Sequence, residues 1–179
     1  MQESPDALIQ AMRQTARQNA ASNWTELQFG GFDPHGNQYG FADLRPTHLG
    51  LTNTTYFGEW SVTAIAAAGV GQDWFNTTVH ENTYILIYGV FNNTPNPRAM
   101  ELRFLFGGNE LTWSQLQEIY GWDITRAYFE QGWVVSPEQA IRAVVTANAV
   151  CAAQTEFLGL LGEVLGKRSY MIQFNAPAP

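Results

Sequence analysis

Chemistry in this chain would have to come from three histidines, a scatter of carboxylates and six tryptophans. Asp33 and His35 stand two apart in Asp33-Pro34-His35-Gly36, and with His48 they offer the carboxylate and imidazole groups that hold a metal such as zinc. The spacing argues otherwise. Asp-Pro-x-Gly is ordinary turn chemistry, and no His-x-x-x-His or comparable pair preforms a site. A carboxylate pair drawn from Glu59, Glu81 and Glu101, with exposed Trp24, Trp74 or Trp122 as a sugar platform, would suit glycoside hydrolysis, yet nothing local brings those carboxylates together. Nucleophilic catalysis needs a Ser or Cys on a sharp turn, backed by His and a carboxylate, and no Gly-x-Ser-x-Gly occurs. His80, like His35 and His48, lies in a turn-like or strand-leading context where structural roles are commoner. Gly107-Gly108 closes a strand but lacks the helix-borne Lys and Ser that cradle phosphate; dinucleotide-binding and calcium loops are missing too. The expectation is that no residue is catalytic, cofactor-binding or metal-binding, and that the protein is not an enzyme.

Composition narrows the elements available to position anything. With 179 residues the chain is long enough to bury its own core as one domain. Aromatic residues make up 13% and charged residues only 14%, with Asn, Thr and Gln supplying polar surface, which favours a β-rich protein over long solvated helices. The net charge is −7 and the nine basic residues are eight Arg and Lys167, so no basic patch awaits a phosphate backbone and direct nucleic-acid binding is not expected. One cysteine, Cys151, excludes an internal disulfide and reads as a small buried hydrophobe. No signal peptide and no membrane-spanning run are expected. Asn23-Trp-Thr, Asn53-Thr-Thr, Asn76-Thr-Thr and Asn92-Asn-Thr match the glycosylation tripeptide but read as Asn/Thr-rich turns.

Along the chain, residues 1 to 22 form a helical arm. Ser4 can cap it, Pro5 opens it, and Leu8, Met12 and Ala16 make a narrow apolar stripe. That stripe fits either a neighbouring subunit or the arm's own domain. Residues 27 to 56 read as loops and short extended pieces, 56 to 65 as an alternating strand, and 66 to 71 as a small-residue bend. Residues 84 to 91 are apolar on both faces, as in a strand at the middle of a sandwich. After the break Asn92-Asn-Thr-Pro-Asn-Pro-Arg98, residues 99 to 106 alternate, with Met100, Leu102, Phe104 and Phe106 opposite Glu101 and Arg103. The two runs read as a hairpin. Thr112-Trp-Ser-Gln115 is a capping box that would open a short loop helix stopped by Gly121. Residues 127 to 135 read as a strand running into Ser136-Pro137. From 139 to 165 two readings compete, because Ile141, Val144, Val145 and Ala152 recur near helical spacing while Ile141, Ala143, Val145 and Ala147 also take one strand face. Gly159, Gly162 and Gly166 each weaken a helix by about 1 kcal/mol relative to Ala and favour two strands. The expected fold is mainly β: an antiparallel β-sandwich or jelly roll over residues 23–174, with the helical arm 1–22 and an extended tail 175–179.

The order of these pieces carries a resemblance. The arm, the paired runs 83 to 91 and 99 to 106, then Val134-Val-Ser-Pro-Glu-Gln139 before an alternating strand, and the closing Leu158-Gly-Leu-Leu-Gly-Glu-Val164 resemble the single jelly-roll coat proteins of small icosahedral, membrane-containing viruses, over roughly residues 55 to 172. The resemblance implies a self-assembling capsid subunit found in the virion and made in the host cytoplasm. Its partners would be copies of itself and other coat proteins, with the arm touching an underlying layer. It transfers no functional residue. Polar, amide-rich rims suit such tiling, since amides cost less to desolvate than ions. The alternatives are a carbohydrate-binding β-sandwich module, with glycan as the partner, and a phage tail or tube protein.

Overall fold

In a computed structural model of the protein, residues 5–24, 39–51, 60–62, 64–116 and 126–167 are described. They form one helix, α1 (Pro5–Asn23), and eight strands: β1 (Tyr39–Asp43), β2 (Gly71–Thr78), β3 (Thr83–Asn92), β4 (Ala99–Phe106), β5 (Asn109–Gln115), β6 (Arg126–Val135), β7 (Ala140–Ala147) and β8 (Leu158–Lys167). All strand pairs are antiparallel, in two four-stranded sheets of order β1-β8-β3-β6 and β2-β7-β4-β5. The mainly β, sandwich expectation holds.

The pairing is nested. β4 pairs with β5, β3 with β6, β2 with β7 and β1 with β8, so the chain is a long antiparallel ribbon doubled back at one tight turn and wound into two layers. That turn is Gly107-Gly108, where φ is +60° and +86° and Phe106 pairs with Asn109. Two consecutive left-handed residues are the signature of a type I′ hairpin turn, which only glycine adopts without strain.

Two corrections follow from this winding. Residues 84 to 106 are not a hairpin: β3 lies in the first sheet and β4 in the second, so the polar break between them is a corner that carries the chain across the sandwich. The capping-box residues 112 to 115 belong to strand β5, where pairing with β4 overrides the local helix signal; residues 117–120 of the expected loop helix lie outside the described residues. Of the strand expected at 56 to 65, residues 60–62 and 64 are in no strand and Ile65 makes one isolated bridge to Cys151; the rest lies outside the described residues. The bend at 66 to 71 and the strands at 127 to 135, 140 to 147 and 158 to 165 are present.

The core sits between the sheets. Ile141, Ala143, Val145 and Ala147 all point into it from β7, as their alternation requires. Phe104 and Phe106 of β4 meet Phe129 and Trp133 of β6 across the layers, with centroids of Phe129 and Trp133 4.7 Å apart and of Phe104 and Trp133 5.2 Å apart. Cys151 is buried, and burial raises the pKa of its thiol, so it behaves as the small hydrophobe expected.

A second apolar cluster explains why β3 is apolar on both faces. Ile85, Ile87 and Val90 join the core between the sheets, while Tyr84, Leu86 and Tyr88 point outward beneath α1, which buries Met12, Ala16 and Ala20 against them and Leu165. Gly132 of β6 leaves the space that Met12 fills. The stripe on the arm is thus matched to its own domain. On the second sheet the outer face carries exposed pairs, Asp73 with Arg142 and Glu101 with Arg103, of the kind worth little to stability. Among the described residues no helix is long and apolar enough to cross a membrane.

Candidate functional site

The residues singled out for chemistry are dispersed or buried. Asp33, His35, Glu59 and Trp122 lie outside the described residues. His48 lies in a 3-10 turn, Pro46–Leu49, where its Nδ1 accepts from the Arg45 backbone N–H at 3.0 Å. Burial, aided by the Arg45 charge, lowers its pKa to about 4, so it is a neutral packing group. His80 Nδ1 accepts from the Asn82 N–H within the β2–β3 turn. Among the described residues no three His, Cys, Asp or Glu side chains cluster to hold a metal. Glu101 pairs with Arg103 on the second sheet, whereas Glu81 lies in the β2–β3 turn beside Asn82. Of the expected sugar platforms, the two described are not exposed: Trp74 is 2% accessible, donating its indole N–H to Ser61 O, and Trp24 is 5% accessible. Both rings are large enough that packing them outweighs any surface role, and only the tertiary contacts reveal this.

His48 carries a pH signature. The unfolded imidazole protonates near its ordinary pKa of 6.5 while the folded one stays neutral down to about 4, so stability is present above pH 6.5 and is lost as pH falls towards 4. Between pH 7 and 4.5 the wild type should lose about 2 kcal/mol more than His48→Asn. Urea midpoints at the two pH values measure this, and parallel losses in the two proteins would remove His48 as the cause.

A cleft of about 580 Å³ lies at one end of the sandwich, beside the end of α1, the β2–β3 turn and the β6–β7 turn. Its polar walls include Glu81, Asn82, Ser136 and Glu138, with Lys167 and Trp24 at its base. Glu138 holds φ +60°, the left-handed turn position that lets its N–H reach Val79 O. Trp24 offers no free face: the Lys167 ammonium lies 5.5 Å from its ring centroid, and Tyr84 packs edge-on at 5.1 Å. Carboxylates, a hydroxyl and an occupied ring suit hydrogen bonding to a polar group, with no stacking surface for a sugar.

Two buried carboxylates escaped the sequence reading. Glu156, 1% accessible, accepts from Asn92 Nδ2 at 2.8 Å and from the backbone N–H groups of Arg98 and Ala99 at 3.1 and 3.2 Å. It pins the β3–β4 corner to the β7–β8 link. Thr94 belongs to the same knot, accepting from Phe157 N–H and donating its own N–H to Asn92 Oδ1. Glu163, 7% accessible, faces α1 and takes a two-pronged bond from Arg13, with Nε to Oε2 at 2.7 Å and Nη2 to Oε1. Each carboxylate is held by donors of its own fold. Compared with known proteins, the chain matches no family model and no curated protein.

Proposed function

We propose that this chain is a structural subunit of a viral capsid: a jelly roll that assembles with copies of itself and with other coat proteins in the virion, and that carries no catalytic machinery. The observation that supports this most is the strand order. Eight antiparallel strands in sheets β1-β8-β3-β6 and β2-β7-β4-β5, nested about a single hairpin turn, are what a doubled ribbon wound into a double-sheet jelly roll would form, and coat proteins use that architecture. Architecture alone does not define a role, since lectins and cupins share it. The chemistry of the described residues favours assembly over these: His48 is held neutral, Trp24 and Trp74 are packed, and Glu156 and Glu163 are held by structural donors. The exposed stripe of α1, with Gln10, Gln14, Arg17 and Gln18, is the surface the arm would offer to a neighbour or an underlying layer.

Light scattering with negative-stain microscopy tests the reading. Purified protein should form closed rings or larger lattices as its concentration rises, and a strictly monomeric species in both low and high salt would overturn the proposal. A glycan array on the same protein separates the carbohydrate-binding alternative, which requires binding without assembly.

A further inference from the structure

Beneath α1, the winding of the strands creates an electrostatic problem that the helix solves. The β1–β8 register sets Asp43 directly opposite Glu163, and opposed residues of an antiparallel pair point to the same side, so the exposed Asp43 carboxylate stands beside the buried Glu163 carboxylate on the outer face of the first sheet. Around them that face is apolar: Tyr84, Leu86, Val134 and Leu165. Arg13 arrives from α1 to bond both oxygens of Glu163, and its guanidinium also lies 5.6 Å from the Phe41 ring centroid. Arg17, one turn on, lies 5.2 Å from the same ring. Tyr88, from β3, also faces the pair, with Tyr128 of β6 stacked on it. Burial first, then Glu163 and Asp43, push its pKa to about 12, so it adds no charge.

The apolar hold on the helix is narrow. Its buried residues are Met12 and two alanines, whose methyl groups cover little area; Leu8 packs partly buried beside them, Trp24 anchors its end on Tyr84, and Asn23 Nδ2 donates to the Tyr84 hydroxyl at 2.8 Å. An α-helix satisfies its backbone internally, so the ladders that bind the strands to each other do not bind α1 to them. Elements of this kind come from the low-stability end of a fold and open without global unfolding.

We propose that α1 is a strap keyed by charge: Arg13 on Glu163 keeps it closed, and breaking that contact releases the whole helix and uncovers the apolar outer face of the first sheet while the sandwich stays folded. Breaking the pair from either side has a cost that drives opening. Without Arg13 the buried Glu163 carboxylate loses its counter-ion with Asp43 still opposite, and without the Glu163 charge the guanidinium loses the carboxylate that both its prongs bond. The inference does not depend on whether the chain assembles.

Native-state hydrogen exchange on the full chain tests it. In the wild type, hydrogen-bonded amides of α1 should exchange through an opening at least tenfold more populated than the one that exposes β3 and β7. Glu163→Gln, which conserves volume, should raise the α1 opening a further tenfold or more with β3 and β7 unchanged. Arg13→Glu should do the same, and Arg13→Glu with Glu163→Arg should restore protection at least partly. Should a variant fail to fold, added sodium chloride on the wild type gives the same reading, because screening should speed α1 exchange selectively. The strap is wrong if α1 exchanges only together with the core, or if neither charge removal nor salt changes its protection.

Discussion

Glu156→Ala should lower stability by about 3–5 kcal/mol and the melting temperature by roughly 10 °C. The carboxylate is 1% accessible and sits where three donors converge: Asn92 Nδ2 and the backbone N–H groups of Arg98 and Ala99. Truncation leaves the Asn92 and Ala99 donors unpaired in a buried site and that of Arg98 in a part-buried one, and each unsatisfied buried donor costs about 1–3 kcal/mol. The backbone carbonyl of Glu156, which accepts from Val62 N–H at 2.9 Å, survives the substitution, so the loss is read from the side chain alone. Glu156→Gln separates charge from shape. Its carbonyl oxygen can take over at Oε1, where Asn92, Arg98 and Ala99 all donate, but its amide then faces the Arg98 N–H that bonded Oε2, so about 1–2 kcal/mol should be lost. Urea denaturation of the three proteins orders them wild type, Gln, Ala. Equal stability of Ala and wild type would mean that the knot does not hold the corner.

Gly162→Ala should cost about 2–4 kcal/mol, a large effect for one methyl group. β8 lies between β1 and β3, and a Cβ at 162 would press against Leu86 O of β3 and stand 2.8 Å from Leu44 Cδ2. The nearer obstacle is backbone in an interior strand, which cannot step aside as a flexible side chain can. Leu44 N–H also donates to Gly162 O at 3.0 Å, tying the strand from the other side. The site lies beside a register shift in β3 between Ile87 and Gly89, and a Cβ on Gly89 would likewise meet Ala127 O. Close backbone approach at a bulge is a recurrent reason for glycine within strands. Gly40→Ala on edge strand β1 is the control, because nothing lies within 4 Å of its Cβ and strand glycines are entropically costly, so it should be neutral or slightly stabilising. Thermal melts compare the two, and a Gly162→Ala protein as stable as Gly40→Ala would show that the ladder can shift to make room.

Those glycines show how far local reasoning reached and where it stopped. At 159, 162 and 166 they argued for strands because glycine weakens helices, and β8 is a strand. Their structural reason is different: the rings of Phe91 and Trp60 occupy the space beside 159, and β3 backbone the space beside 162. The candidate site followed the same pattern. Asp33-Pro-His-Gly and the scattered glutamates were set aside on spacing, which is local, but the two buried carboxylates went unnoticed because their partners are remote in sequence. Arg13 and Glu163 are 150 positions apart, and Glu156 meets Ala99 across 57. Nothing in the neighbourhood of either glutamate marks it as buried.

By itself, the sequence determined that the protein is built from β-strands with one amphipathic helix at its start, because side-chain alternation, glycine content and helix stripes are properties of neighbouring residues. Tertiary structure alone decided which strands meet. The segment 92 to 98 serves equally well as a hairpin turn or an inter-sheet corner, since proline and asparagine set only local dihedrals. What makes it a corner is that β3 is taken by β8 and β6 while β4 is taken by β7 and β5. The doubly apolar face of β3 and the confrontation of Asp43 with Glu163 have the same origin, in that α1 and β1 are brought onto the sheet by pairings that span most of the chain.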